Sequence, residues 1–155
     1  MASVILNYTT EIAPEKSLGE ISRILVEFGA TNISIDYDRV KRVPTGISFI
    51  AETPMGDREF RLPARIERVQ KALKDKYEAG DRRLGARHTT FEHAARVAWR
   101  ILRDWIEAQL AMVKLDLISL DEMFFPQLVA GDRGETGYQL FEGRRLLGPG
   151  GRGCD

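Results

Sequence analysis

The stretch RVAWRILRDWIEAQLAM, residues 96–112, contains both tryptophans of the chain and three of its arginines. On a helical wheel, Arg96, Arg100 and Arg103 fall on one narrow stripe, and Trp105 lies directly opposite Arg96. The apolar arc around Trp105 spans roughly 200°, whereas a single sheet contact needs only ~100°. The sequence therefore predicts a long helix that is buried on two sides, with Trp105 in the core.

The residues before this helix have the periodicities of a small α+β domain. β-branched and aromatic residues predict the first of four strands, alternating apolar and polar residues predict the others, and apolar residues at helical spacing predict two helices. The strands lie at Val4–Thr10, Ile33–Tyr37, Ile47–Ala51 and Phe60–Leu62, and the helices follow Ser17 and Pro63. The resulting order, β-α-β-β-β-α, predicts a mostly antiparallel sheet with helices packed on one face.

Three capping boxes mark the starts of helices, because a hydroxyl and a carboxylate three residues later can satisfy free backbone N–H groups. They are Ser17/Glu20, Thr89/Glu92 and Ser119/Glu122. The second box predicts that the long helix runs from Thr89 to about Lys114, a length of roughly 37 Å. It would overhang a sheet unit about 30 Å across. The overhang favours a homodimer, in which a second subunit covers the exposed apolar surface beside the short helix that follows Ser119.

The pattern of the chain predicts one domain with a glycine-rich tail. Residues 1–126 would form the domain, with a sheet unit at 1–78 and a helical part at 89–126. Residues 127–155 are rich in glycine and are predicted to be flexible. Cys154, the only cysteine, lies in that tail, so a disulfide or a cysteine-based zinc site within one chain is excluded.

Composition favours a globular protein of the cytoplasm. The 155 residues carry 23 basic and 23 acidic side chains, so the net charge gives no indication for or against a nucleic-acid partner. The middle of the chain is nevertheless basic, because residues 61–103 hold twelve Lys and Arg against five Asp and Glu. No apolar stretch reaches the ~20 residues that a membrane span requires, and the N-terminus does not resemble a signal peptide.

The arginine stripe and the indole of Trp99 at its border predict a binding surface for an anion. Guanidinium groups grip phosphates and an indole face can stack on a base. The predicted ligand-binding residues are Arg96, Trp99, Arg100 and Arg103, joined by Arg61, Arg65 and Arg68 if the second helix lies alongside. Two alternatives stay open: Trp99 packs as an ordinary boundary residue, and the arginines form solvated ion pairs with Asp104 and Glu107.

Sequence motifs for catalysis are sparse. Asp36, Asp38 and Glu52, with Lys41 nearby, are residue types found together in metal-dependent nucleases. His88 and His93 lie five residues apart, whereas a metal-binding pair on a helix requires a spacing of three or four. Phosphate-binding and nucleophile motifs are absent from the sequence, and no cofactor is predicted.

Nearly the whole chain resembles a family of small, uncharacterised proteins of bacteriophages and prophages. The resemblance is carried by YTTEI (8–12), FGATNI (28–33), FRLP (60–63), AWRILRDWIEAQLAM (98–112) and FFP (124–126). It implies a phage or mobile-element origin, and it implies no activity and no site residues.

Together these patterns predict a non-enzymatic binding protein that grips a nucleic acid or a nucleotide through its basic helix surface. Two alternatives remain. One is a protein-interaction module that docks a host or phage protein through the apolar helix face, and the other is the metal-dependent enzyme.

Overall fold

A three-stranded antiparallel sheet and several helices make up the computed structural model, which describes residues 5–143. The strands are β1 (Ala30–Tyr37), β2 (Pro44–Thr53) and β3 (Gly56–Pro63), in that order across the sheet. The helices are α1 (Pro14–Glu27), α2 (Ile66–Glu78), α3 (Phe91–Lys114), α4 (Leu120–Met123) and α5 (Gly137–Glu142), with 3-10 turns at Ala86–Thr89 and Phe125–Gln127. The predicted α+β class with an antiparallel sheet is confirmed.

The first predicted strand is not formed in the described residues. Residues 6–9 are turns, in which the Tyr8 amide donates to the Ile5 carbonyl at 3.3 Å and the Thr10 amide donates to Asn7 at 2.9 Å. The carbonyl of Tyr8 contacts the ring Nε2 of His93 at 2.5 Å. These local and helix contacts use the polar groups that a strand would have offered to a neighbour, so the sheet has three strands. Val4 lies outside the described residues.

β2 is the central strand, and its inward side chains form the middle of the core. Ile47, Phe49 and Ala51 are almost fully buried, as their alternation with polar residues predicts. Phe49 pairs with Phe60 of β3, and the two rings stack with centroids 5.1 Å apart. Phe124, which follows α4, closes this cluster with an edge contact to each ring.

The ends of the helices agree with the sequence prediction at some positions and differ at others. Gly29 ends α1 with φ of +94°, a conformation that glycine adopts without strain. Ser119 caps α4 through its hydroxyl, as predicted. For α3 the cap is Thr90, whose hydroxyl accepts the amide of His93, and not its neighbour Thr89. α1 begins at Pro14, so Ser17 is buried inside the helix and does not cap it.

α3 packs against both α1 and α2, which cover part of its wide apolar arc. α4 and Phe124 cover a further part, with Trp105 and Phe124 meeting edge to face at 5.5 Å. Only the end of α3 exposes large apolar side chains, at Met112 and in the following Leu115 and Leu117. Ala94 and Ala98 of the arc are buried, whereas Trp105, Ile101 and Leu102 are only partly buried and Ala108 and Met112 are exposed. The arc is therefore covered only in part within one chain, and the homodimer stays a prediction.

The segment that was predicted to begin a flexible tail is folded up to Gly143. Leu128 pairs with Phe60 at the outer edge of β3, and Val129 pairs with Thr136. Thr136 opens α5, whose Leu140 is buried. Residues 144–155, which include Cys154, lie outside the described residues. In the part of the chain that the structure describes, no helix has both the length and the apolar character to cross a membrane.

Candidate functional site

The arginines of α3 are paired with carboxylates of the same chain. Glu20 of α1 receives Arg100 at 2.7 Å and Arg103 at 3.0 Å, because α1 lies alongside α3. Asp104 and Glu107 complete the network around Arg103. Arg96 lies 3.7 Å from Glu11, so these three cations are matched by four acids and offer little net charge to a ligand.

Glu20 is ionised in this network. Burial raises the pKa of its carboxyl, but the hydrogen bond and charge of Arg100, together with Arg103, outweigh that effect and hold the pKa below its ordinary value. The side chains of Glu20, Arg100 and Arg103 are each less than one fifth exposed. The predicted arginine surface is therefore a half-buried ion cluster that joins two helices.

Trp99 is not available to stack on a ligand. Its side chain is fully buried, and its indole N–H donates to the carbonyl of Pro44 at 2.8 Å. The roles of the two tryptophans are thus reversed from the prediction, since Trp105 is only partly buried. The reversal arises because Trp99, Ile106 and Leu110 share the face of α3 that is most deeply covered.

Two cavities adjoin at the connection between β3 and α2. The first, which we call the apolar groove, encloses about 340 Å³ between this connection and α3. Its lining side chains are almost all apolar, with Trp105 the largest among them. They are Leu62, Pro63, Ala64, Arg65, Val69, Ala98, Ile101, Leu102, Trp105 and Gln127.

The second, which we call the polar cavity, encloses about 450 Å³ between the end of β3 and the chain after α4. Its polar side chains include two cations, two amides and two hydroxyls. Its lining residues are Arg61, Pro63, Arg65, Pro126, Gln127, Thr136, Tyr138 and Gln139. Because both cavities are lined by Pro63, Arg65 and Gln127, they form a continuous depression with an apolar and a cationic half.

Arg65 lies between the two halves and has no ion-pair or hydrogen-bond partner for its guanidinium among residues 5–143. Its backbone is left-handed, with φ of 51° and ψ of 47°, and it caps α2 without a side-chain hydrogen bond. The positive end of the helix dipole and the first free amides of α2 therefore lie next to this side chain. Both favour a negative charge at this position.

The other two predicted arginines of this region differ in their surroundings. Arg61 extends from β3 into the polar cavity, where it donates to the carbonyl of Gly134 at 3.2 Å and forms a loose, exposed pair with Glu59 at 3.5 Å. Arg68 is exposed in the first turn of α2 but does not line either cavity. Arg61 and Arg65 therefore line the same cavity, and Arg68 lines neither.

Gln127 presents an unused acceptor at the junction of the cavities. Its Oε1 atom is buried and has no hydrogen-bond partner among the described residues. A buried amide oxygen without a donor costs free energy, so such atoms normally have a partner. A ligand with an N–H group would supply one.

Sequence reasoning missed Trp105, Gln127 and Tyr138 as lining residues. Trp105 was assigned to the core from the wheel, which cannot show that the neighbouring surface is concave. The other two were assigned to a flexible tail. One local signal was present, because Thr136 and Gln139 have the spacing of a capping box and form one.

The acidic residues proposed for a metal-dependent enzyme do not meet. Asp36 pairs with Gly46, six positions along β2 from Glu52, a separation of about 20 Å. The Asp38 carboxylate accepts the backbone amides of Lys41 and Val40; these hydrogen bonds lower its pKa and hold it in a turn. Within residues 5–143 no cluster of three metal-ligating side chains exists, and the nuclease hypothesis loses its structural basis.

The two histidines are structural neighbours. Their ring centroids lie 5.0 Å apart, and both residues are buried. Nδ1 of His88 accepts the amide of Gly85 at 2.8 Å. Burial, followed by the charges of His93 and Arg87, lowers the pKa of His88, so this ring is neutral near pH 7.

Comparisons with known proteins give no assignment. No family model matches the sequence, no curated protein matches it, and no solved structure matches it. The resemblance to small phage proteins stays a prediction.

Proposed function

We propose that this protein is a non-enzymatic binding protein for an anionic ligand of the nucleotide class. The flat apolar part of the ligand would lie in the apolar groove against Trp105, and its phosphate would lie between Arg65 and Arg61. The observation that carries this proposal is the unpaired guanidinium of Arg65 at the junction of an apolar and a cationic cavity. The proposed ligand is an anion, as the sequence predicted, but the proposed site lies at the start of α2 and not on α3.

The sizes of the cavities support a small ligand. Binding cavities for small molecules usually enclose about 300–1,000 Å³ and are mainly apolar with a few polar groups. The apolar groove, at about 340 Å³, is of this size and meets the polar cavity at Arg65. A duplex would require a longer basic surface than two arginines provide, so a free nucleotide or the end of a single strand fits better.

The local charge supports a phosphate. Arg65 has no carboxylate partner in the described residues, whereas Arg96, Arg100 and Arg103 each have one. The free amides at the start of α2 add donors, as at many phosphate-binding helix starts. Arg61 would exchange its weak, exposed contact with Glu59 for the ligand.

The lining chemistry supports binding rather than catalysis. None of the described residues that line the two cavities is a histidine, a cysteine or a carboxylate. These are the side chains that most often carry out general acid–base or nucleophilic catalysis. The lining hydroxyls of Thr136 and Tyr138 can donate and accept hydrogen bonds, so the composition of the cavities favours recognition.

Titration of the protein with nucleoside monophosphates and triphosphates at low salt tests this proposal. We expect the fluorescence of Trp105 to respond, and we expect Trp105→Phe to remove most of the response because Trp99 is buried. Arg65→Ala should weaken binding at least about tenfold, since hydrogen bonds to charged groups contribute about 1.5–3 kcal/mol. Calorimetry gives the dissociation constants independently.

Arg82→Ala is the matched control, because Arg82 is an exposed arginine beyond the other end of α2. It should leave the affinity unchanged. Equal losses in both variants, or no binding of nucleotides and short oligonucleotides at low salt, would show that the proposal is wrong.

A protein-docking role is the second candidate, and one observation favours it. Met112, Leu115 and Leu117 expose 41%, 69% and 66% of their surfaces at the end of α3. Neighbouring exposed apolar side chains of this kind often mark a protein interface. If Leu115→Ser and Leu117→Ser abolish capture of one partner while Arg65→Ala does not, this candidate is preferred.

A further inference from the structure

The outer edge of β1 is unpaired in the described part of the chain. β1 pairs with β2 on one side only, and no other segment of residues 5–143 forms a bridge with it. The opposite edge of the sheet is different, because Leu128 pairs with Phe60 there. β1 therefore presents backbone donors and acceptors that have no strand beside them.

The direction of the free groups follows from the hydrogen bond at the other edge. The amide of Val129 donates to the carbonyl of Glu59 at 2.8 Å, so the peptide groups of Glu59 point away from β2. In an antiparallel sheet this direction alternates along a strand. The N–H and C=O groups of Phe60 therefore face its partner Phe49 on β2, and those of Phe49 face β3.

The same alternation carries across to β1. The N–H and C=O groups of Ser48 face the opposite way from those of its neighbour Phe49. They therefore face β1 and its partner residue Ser34. The flanking residues Ile33 and Ile35 must then direct their N–H and C=O groups outward. These are the backbone groups that the edge offers.

β1 has few of the features that protect an edge strand. Natural edges are usually interrupted by proline, lysine or a bulge. The sequence ATNISIDY contains neither proline nor lysine, and the register shifts lie only at its two ends, outside Asn32–Asp36. Ile35 and Tyr37 are 36% and 53% exposed on the helix-bearing face. The middle of β1 is thus a regular, partly apolar edge.

We propose that this edge binds the β1 strand of a second copy, forming a continuous six-stranded antiparallel sheet. With the twofold axis at Ser34, Ile33 lies opposite Ile35 of the second copy and both make hydrogen-bonded pairs. Asp36 then lies opposite Asn32, so no like charges face each other. An interface of this kind uses the same patch on both copies.

The helix layer is complementary in the same arrangement. Antiparallel pairing places the start of one β1 beside the end of the other. Val26, 59% exposed in the last turn of α1, then approaches the exposed Ile35 and Tyr37 of the second copy. The pairing therefore buries apolar side chains as well as backbone groups. It does not involve the cavities at Arg65.

Sedimentation and hydrogen exchange of the full chain test this proposal. We expect a species of twice the chain mass of 17.5 kDa that dissociates on dilution. The amides of Ile33 and Ile35 should exchange slowly in that species and rapidly in the dilute monomer. A monomer at high concentration, or a dimer in which these two amides exchange rapidly, would overturn the proposal.

Two variants and one control complete the test. Ser34→Lys places two ammonium groups opposite each other at the axis and should give a folded monomer, because Ser34 is exposed. Ile35→Lys should do the same. Met55→Lys, at an exposed apolar residue of the β2–β3 turn, should leave the dimer intact. Dimers of unchanged affinity in both β1 variants would contradict the proposal.

Discussion

Arg65 combines backbone strain with an unpaired charge at a single position. A residue other than glycine in the left-handed region costs about 1–2 kcal/mol. Its carbonyl accepts the amides of Arg68 and Val69, so the conformation is fixed by the start of α2. Among the described residues, its guanidinium forms no ion pair that would offset that cost.

Arg65→Gly separates stability from binding. Glycine adopts the same backbone conformation without strain, so the variant should be as stable as the wild type or more stable, by up to about 1 kcal/mol. Nucleotide binding should weaken as it does in Arg65→Ala. Urea denaturation and calorimetry measure the two quantities, and a less stable variant with unchanged binding would contradict this assignment.

His88 gives the protein a predictable response to acid. Because burial, together with the charges of His93 and Arg87, places its pKa below 6.5 in the folded chain, the unfolded chain takes up the proton first. This contribution to stability is complete above pH 6.5 and decreases as the pH falls below that value. Protonation of His88 would also place a positive charge beside the ring of His93, whose centroid is 5.0 Å away.

His88→Asn should reduce the loss of stability between neutral and mildly acidic pH. The asparagine oxygen can still accept the amide of Gly85, but it does not titrate. Urea midpoints of both proteins on each side of pH 6.5 measure the effect. If the wild type and the variant lose the same free energy of unfolding, His88 does not cause the acid response.

At the scale of elements, Phe124 connects the chain after α4 to both layers of the fold. It is fully buried and contacts the rings of Phe49, Phe60 and Trp105. The next residue, Phe125, is 46% exposed. Two adjacent phenylalanines therefore differ greatly in how much of their side chain is buried. The segment that follows them forms one wall of the polar cavity.

Phe124→Ala should destabilise the protein by about 3–5 kcal/mol, because a large cavity replaces a buried ring. Phe125→Ala, the matched control, should change the free energy of unfolding by less than about 1 kcal/mol. Denaturant titration of both variants gives the comparison. Similar values for the two would show that Phe124 does not hold α4 against the sheet.

At the scale of the whole molecule, the charge is balanced, and the proposed attraction for an anion is local. The net charge is zero, so there is no long-range field that collects anions. α3 contributes little, since its arginines are matched by acids of α1 and of its own turns. Arg65, at the start of α2, has no carboxylate partner among the described residues, and Arg61, at the end of β3, has only the exposed Glu59.

Nucleotide affinity should therefore fall as salt is added, because exposed charges are screened over about 8 Å at physiological ionic strength. Arg65→Ala should show a shallower dependence on salt than the wild type. Arg100→Gln should leave the slope unchanged if the variant folds, since Arg100 already faces Glu20 at 2.7 Å. A slope that changes in Arg100→Gln and not in Arg65→Ala would return the site to α3.

The sequence by itself determined the local elements. The alternation of Ile33, Ile35 and Tyr37 predicted β1. The helical spacing of apolar residues predicted a long helix that runs to about Lys114, where α3 ends. Such features are set by contacts within a few residues, namely caps, turns and the side-chain period. Val4–Thr10 was predicted wrongly because its β-forming residues are outweighed by turn hydrogen bonds and by the distant His93.

Only the tertiary structure decided which of those residues are accessible. Arg100 and Glu20 are 80 positions apart, and Trp99 and Pro44 are 55 apart, so no local pattern indicates that the arginine is paired or that the indole is buried. The depression at Arg65 likewise arises where β3, α2, α3 and the chain after α4 meet. Helix periodicity fixes which side chains share a face, whereas burial and pairing depend on what packs against that face.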